Sequence, residues 1–137
     1  MSVAKIMTRK VLRIGMDDTL ETMHEIFQKH KFHHLLVVEE DELVGVISDR
    51  DLLKEVSPFL NTLSEDYRDK QTLRKKAHQI MTRKAISVDG STTIEDAAKI
   101  LLKKNISCLP ILTPEGKIQG ILSWKDLLRF FVERTVS

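Results

Sequence analysis

Ile6-Met7-Thr8-Arg9-Lys10 returns as Ile80-Met81-Thr82-Arg83-Lys84, 74 positions later, in a chain of 137 residues. Thr19-Leu20-Glu21 and Thr93-Ile94-Glu95 keep that spacing, as do Leu35 and Leu109. From Gly45 to Gly120 it grows to 75, which places one extra residue in the loop between the second copy's strands. A chain that repeats itself at this period is one supersecondary unit used twice. A unit of roughly 50 residues leaves much of a sheet face uncovered and is marginal alone. Two copies that pack sheet to sheet about a pseudo-two-fold axis bury both faces.

Each copy predicts the same element order. Val11-Leu12-Arg13-Ile14 and Ala85-Ile86-Ser87-Val88 are short strand-like runs closed by Gly15 and by Asp89-Gly90. Asp18-x-x-Glu21 and Thr92-x-x-Glu95 have the spacing of a capping box and announce a helix. Leu20, Met23, Ile26 and Phe27 then share one helical face, as do Ile94, Ala97, Ala98, Leu101 and Leu102. Lys29, Lys31, Lys99, Lys103 and Lys104 fall on the outer face. Two apolar strands follow around a tight turn, Leu35 to Val38 with Leu43 to Ile47, and Leu109 to Leu112 with Ile118 to Leu122. Their unbroken apolar runs imply burial on both faces.

The copies close on the stretch that carries the chemistry. Gly45-Val46-Ile47-Ser48-Asp49-Arg50-Asp51-Leu52-Leu53 is matched by Gly120-Ile121-Leu122-Ser123-Trp124-Lys125-Asp126-Leu127-Leu128. A strand runs through a serine into a helix, with an aspartate three positions after the serine. On spacing alone this is a helix cap; the same groups also suit a phosphorylated ligand rich in hydroxyls. A helix start offers unpaired N–H groups to an anion, and Arg50 or Lys125 adds a charged donor.

Several function classes drop out. A net charge of +2 is too small for a nucleic-acid surface. No apolar run approaches the roughly 20 residues of a membrane span, and the N-terminus lacks a signal peptide's apolar core. The single cysteine, Cys108, excludes an intrachain disulfide and fits a reducing cytoplasm. No Gly-rich phosphate loop, carboxylate pair or Ser/His/Asp constellation is present, so no enzyme is expected.

Taken together, Ile-Met-Thr at the head of each copy, Leu109-Pro110-Ile111-Leu112, and the Gly-to-Asp-Leu-Leu closing motif resemble the CBS domain, which occurs as tandem pairs called Bateman modules. The resemblance implies a mixed α/β (α+β) fold of two tandem β-α-β-β-α CBS repeats packed sheet to sheet with pseudo-two-fold symmetry. Residues 1–54 are the first repeat, 55–76 a partly helical linker and 77–137 the second. It implies a non-catalytic sensor of AMP, ADP, ATP or a related adenosyl ligand, held in clefts between the repeats, with no cofactor. Carried onto this chain, Asp51 and Asp126 receive the ribose hydroxyls, and Ser48 and Ser123 the phosphate, with Arg50 and Lys125 beside them. Cys108, Leu109 and Pro110 line one adenine slot, and His33, His34 and Leu35 its counterpart. Leu36 replaces the proline in the first copy, and Trp124 follows the serine in the second, to stack on a ligand or to fill the cleft. The chemistry agrees, because an ionised carboxylate only accepts hydrogen bonds and a ribose presents two adjacent donors.

The resemblance further implies a homodimer formed through helices, and the expected cytoplasmic module reports to a protein partner. The alternative is a pair that has lost its ligand and serves as a structural or interaction module. His24, His30, His33, His34 and Cys108 do not make a metal site, since adjacent histidines on a strand point to opposite faces. Arg9-Lys10 and Arg83-Lys84 are either phosphate ligands or solvated surface, and Arg74-Lys75-Lys76 is solvated surface.

Overall fold

The computed structural model describes residues 1–55 and 72–136. The linker expected over 55–76 lies, for residues 56–71, outside the described residues. The elements are β1 (Arg13–Gly15), α1 (Leu20–Lys29), β2 (His34–Glu39), β3 (Glu42–Ser48), α2 (Asp49–Glu55), α3 (Ala77–Ile80), β4 (Thr82–Arg83), α4 (Ile94–Lys104), β5 (Cys108–Leu112), β6 (Ile118–Ser123) and α5 (Trp124–Val136).

The sequence copies and the compact units do not coincide. Met1–Val11 packs with Ala85–Ser137, and Leu12–Lys84 forms the other unit. Each copy's Ile-Met-Thr segment therefore completes the other copy's sheet. Thr82 and Arg83 pair antiparallel with Val46 and Gly45 of β3, and Thr8 forms the matching bridge to Ile121 of β6. The motif glycines make room for this. A Cβ on Gly45 would lie 2.5 Å from Met81 Sδ, and one on Gly120 would lie 2.6 Å from the Thr8 carbonyl oxygen.

In the Leu12–Lys84 unit the sheet order is β1-β2-β3-β4. β1 runs parallel to β2 with α1 as the crossover, and β2 and β3 form an antiparallel hairpin. Leu20 and Met23 of α1 pack on Leu35, Val37 and Ile47, with Ala77 and Met81 closing the core. The hairpin turns at Glu40 and Asp41, both at positive φ, as a two-residue turn matching strand twist requires. A bulge at Val37/Val38 recurs at Ile111/Leu112, each time just ahead of the motif glycine on the partner strand.

The unit of Met1–Val11 and Ala85–Ser137 repeats this with a narrower sheet. The strand expected over Ala85–Val88 is reduced to one parallel bridge, Val88 to Ile111. The proline explains the difference. In the first copy the Leu36 N–H donates to the Leu12 carbonyl at 3.0 Å. The equivalent position is Pro110, which has no N–H to give. Val3, Met7, Ile94, Ala97, Leu101, Leu109, Ile111 and Leu122 form this unit's core.

Two local expectations need correction. The helix caps are Thr19 and Thr93, not Asp18 and Thr92; their hydroxyls accept the N–H of Thr22 and Asp96. The incoming segments impose this. Lys76 bridges to Thr19 and Ser2 to Thr93, which holds both threonines in the extended backbone that an N-cap needs. Asp18 instead accepts the Gly15 N–H at 2.7 Å. Leu102, expected on the core face of α4, is 65% exposed, because Ile94, Ala97 and Leu101 already fill the stripe that meets the sheet.

Candidate functional site

Both strand-to-helix junctions are built as reciprocal caps. In the first copy the Asp51 N–H donates to Ser48 Oγ at 3.1 Å, and the Ser48 N–H donates to Asp51 Oδ2 at 2.9 Å. The exchange orients the carboxylate at the junction. Asp51 Oδ1 takes no hydrogen bond among the described residues, and the side chain is half-buried. Arg50 is exposed. The start of β2 is tied to the same helix, since the Asp49 N–H donates to the His33 carbonyl at 2.9 Å and His33 Nδ1 lies 2.7 Å from Asp49 Oδ2.

The second copy uses the same residues more tightly. Asp126 Oδ2 accepts the Ser123 N–H at 2.9 Å and the Ser123 hydroxyl at 3.2 Å. Its Oδ1 accepts the Thr8 hydroxyl at 3.0 Å, and Arg129 Nη1 lies 3.8 Å away. Asp126 is 6% exposed, the one buried charged residue among those described. Lys125 is exposed. The Trp124 indole N–H donates to the Ile106 carbonyl at 3.1 Å, which pins a ring that stays 41% exposed.

The remaining nominated residues divide by strand face. Leu35 and Leu109 point into the cores of their units and are fully buried. His34, Leu36, Cys108 and Pro110 alternate with them on the other face of the hairpins. His34 is half-buried, while Leu36, Cys108 and Pro110 are buried. His33 is exposed beside Asp49. Arg9 and Arg83 each donate to a carbonyl five residues back, Ala4 and His78, which fixes both short turns in the same way. Among the described residues no His, Cys, Asp or Glu trio is placed to hold a metal ion, and no helix is long and apolar enough to cross a membrane.

In the sequence Thr8 is a mark of the repeat and of the family, with no site role attached. Its contact with Asp126 spans 118 positions, and the one signal for it is the return of the same residue as Thr82.

The family model of the CBS domain matches residues 3–58 and again 77–133. A CBS domain-containing protein of Dictyostelium discoideum is 32% identical over 133 residues, covering 96% of this chain and 91% of its own length. An uncharacterized protein of Methanocaldococcus jannaschii, MJ1426, is 28% identical over 93% of this chain and 90% of its own. Among solved structures, CBSX2 in complex with AMP superposes with a TM-score of 0.80 at 27% identity, covering 98% of each chain. The CBS domain pair of protein MJ0100, in complex with 5′-methylthioadenosine and S-adenosyl-L-methionine, gives a TM-score of 0.82 at 24% identity and 98% of each chain, a likeness of fold.

Proposed function

We infer that this chain, which belongs to the CBS-domain family, is a non-catalytic regulatory module that binds an adenine nucleotide through its Ser-x-x-Asp junctions. The observation that carries the reading is Asp51. The Ser48 N–H occupies one of its oxygens and orients the group, and the other takes no hydrogen bond among the described residues. That oxygen suits the two adjacent hydroxyls of a ribose. The serine hydroxyl and the exposed Arg50 supply phosphate donors in the first copy, with Lys125 in the second. His34 belongs to the adenine side of the first junction, and Cys108 and Pro110 to that of the second. The AMP bound to CBSX2 supports this ligand class.

Regulation then follows as a population shift: ligand favours one arrangement of the chain, and a partner protein reads it. The reading includes a cytoplasmic homodimer. Trp124, Leu128, Phe131 and Val132 share one face of α5 at helical spacing and are all exposed, which favours burial against a second copy.

The test is calorimetric titration with AMP, ATP and S-adenosylmethionine. AMP should give a saturable heat, and Asp51→Ala should remove the first copy's site from it. No heat and no thermal shift with any of the three at millimolar concentration would refute the reading in favour of a ligand-free interaction module.

A further inference from the structure

We propose that Thr8 makes the two copies unequal binders, by holding the Asp126 carboxylate while Asp51 is left available. The inference rests on the reading of the junctions as adenine-nucleotide sites. An ionised carboxylate offers about four acceptor positions. On Asp126, the Thr8 hydroxyl, the Ser123 N–H and the Ser123 hydroxyl fill three of them. A ribose diol brings two donors, so it fits only by displacing one of these. On Asp51 the Ser48 N–H fills a single position, and both acceptor positions of Oδ1 remain for a diol.

The difference is set from outside the motif. Thr8 and Thr82 are the same residue of the repeat, and both lie beside the closing strand. Yet Thr82 makes no side-chain hydrogen bond among the described residues, whereas the Thr8 hydroxyl reaches Asp126 at 3.0 Å. Thr8 is held there by two backbone hydrogen bonds with Ile121, at 2.8 and 2.9 Å. Its carbonyl sits over Gly120, where a Cβ would lie 2.6 Å away. The lock is thus part of the sheet, and the ligand must break a hydrogen bond to a buried carboxylate to enter the second copy. Such a bond corresponds to about a tenfold or larger loss of affinity.

The experiment is calorimetric titration of the full chain with AMP, in the wild type and in Thr8→Val, Thr8→Ser and Asp51→Asn. The wild type should show one tight site per chain, lost in Asp51→Asn. Thr8→Val, which removes the hydroxyl and keeps the shape, should add a second site or tighten a weak one at least tenfold. Thr8→Ser, which keeps the hydroxyl, should behave as the wild type. Thr8→Ala carries the same expectation should the valine variant not fold. Two equal sites in the wild type, or unchanged isotherms in both hydroxyl-free variants, would overturn the inference and leave the nucleotide reading standing. No AMP binding by any variant would overturn both.

Discussion

The exchange of Ile-Met-Thr segments predicts an unusual cost for the smallest possible substitution, Gly120→Ala. The added methyl would sit 2.6 Å from the Thr8 carbonyl oxygen and 3.1 Å from Met7 Sδ, where ordinary contact begins at 3.4 Å. The obstacle is backbone. Thr8 must retreat by about 0.8 Å to restore contact, and its two hydrogen bonds to Ile121 lengthen with it. Overpacking of this kind costs about 1–3 kcal/mol, and each weakened hydrogen bond adds up to about 1 kcal/mol. The alanine returns roughly 0.5–1 kcal/mol by restricting the unfolded chain. The balance is a destabilisation of about 2–3 kcal/mol. At roughly 3–4 °C per kcal/mol for a chain of this size, the melting temperature should fall by about 6–12 °C. At Gly45 the atoms in the way are Met81 Sδ, Cγ and Cβ, at 2.5, 2.8 and 3.0 Å. A methionine side chain swings aside more cheaply, so Gly45→Ala should cost about 1–2 kcal/mol. Urea unfolding reads both from the midpoint at constant slope. A Gly120→Ala protein as stable as the wild type, or more stable than Gly45→Ala, would refute the placement of Met7-Thr8 against β6.

Other consequences are as direct. Thr19→Ala and Thr93→Ala remove the observed helix caps and should each cost about 1 kcal/mol, whereas Thr92→Ala should cost less than half of that in the same unfolding assay. If α5 faces a second copy, Phe131→Glu should convert a dimer to a monomer by light scattering with the far-ultraviolet circular dichroism unchanged; a dimer that survives the charge would exclude that face.

The repeat made most of the fold legible. Periodicity found α1, α4 and both hairpins, and unbroken apolar runs such as Leu35-Leu36-Val37 marked strands buried on two faces. What it concealed was non-local. The caps fall one residue late because Lys76, the last residue of the linker, and Ser2, ahead of the first Ile-Met-Thr, bridge to Thr19 and Thr93 and hold them extended. The Ala85–Val88 strand shrinks to a bridge because Pro110, read as a family mark, also removes a donor from the sheet. At the junctions, spacing named the Ser-x-x-Asp pairs, and the structure builds both as caps. The inequality of Asp51 and Asp126 was invisible, since their motifs match and only Thr8, far away in the chain, separates them.

The central claim, that a junction aspartate receives a ribose diol, is tested most directly by removing the diol. Competition between AMP and its 2′,3′-dideoxy analogue on the wild-type chain isolates those two hydroxyls while adenine and phosphate stay constant. The account predicts that the analogue binds at least tenfold more weakly, and that Asp51→Asn erases most of that preference. Equal affinity for the two nucleotides, or a preference that survives Asp51→Asn undiminished, would contradict it.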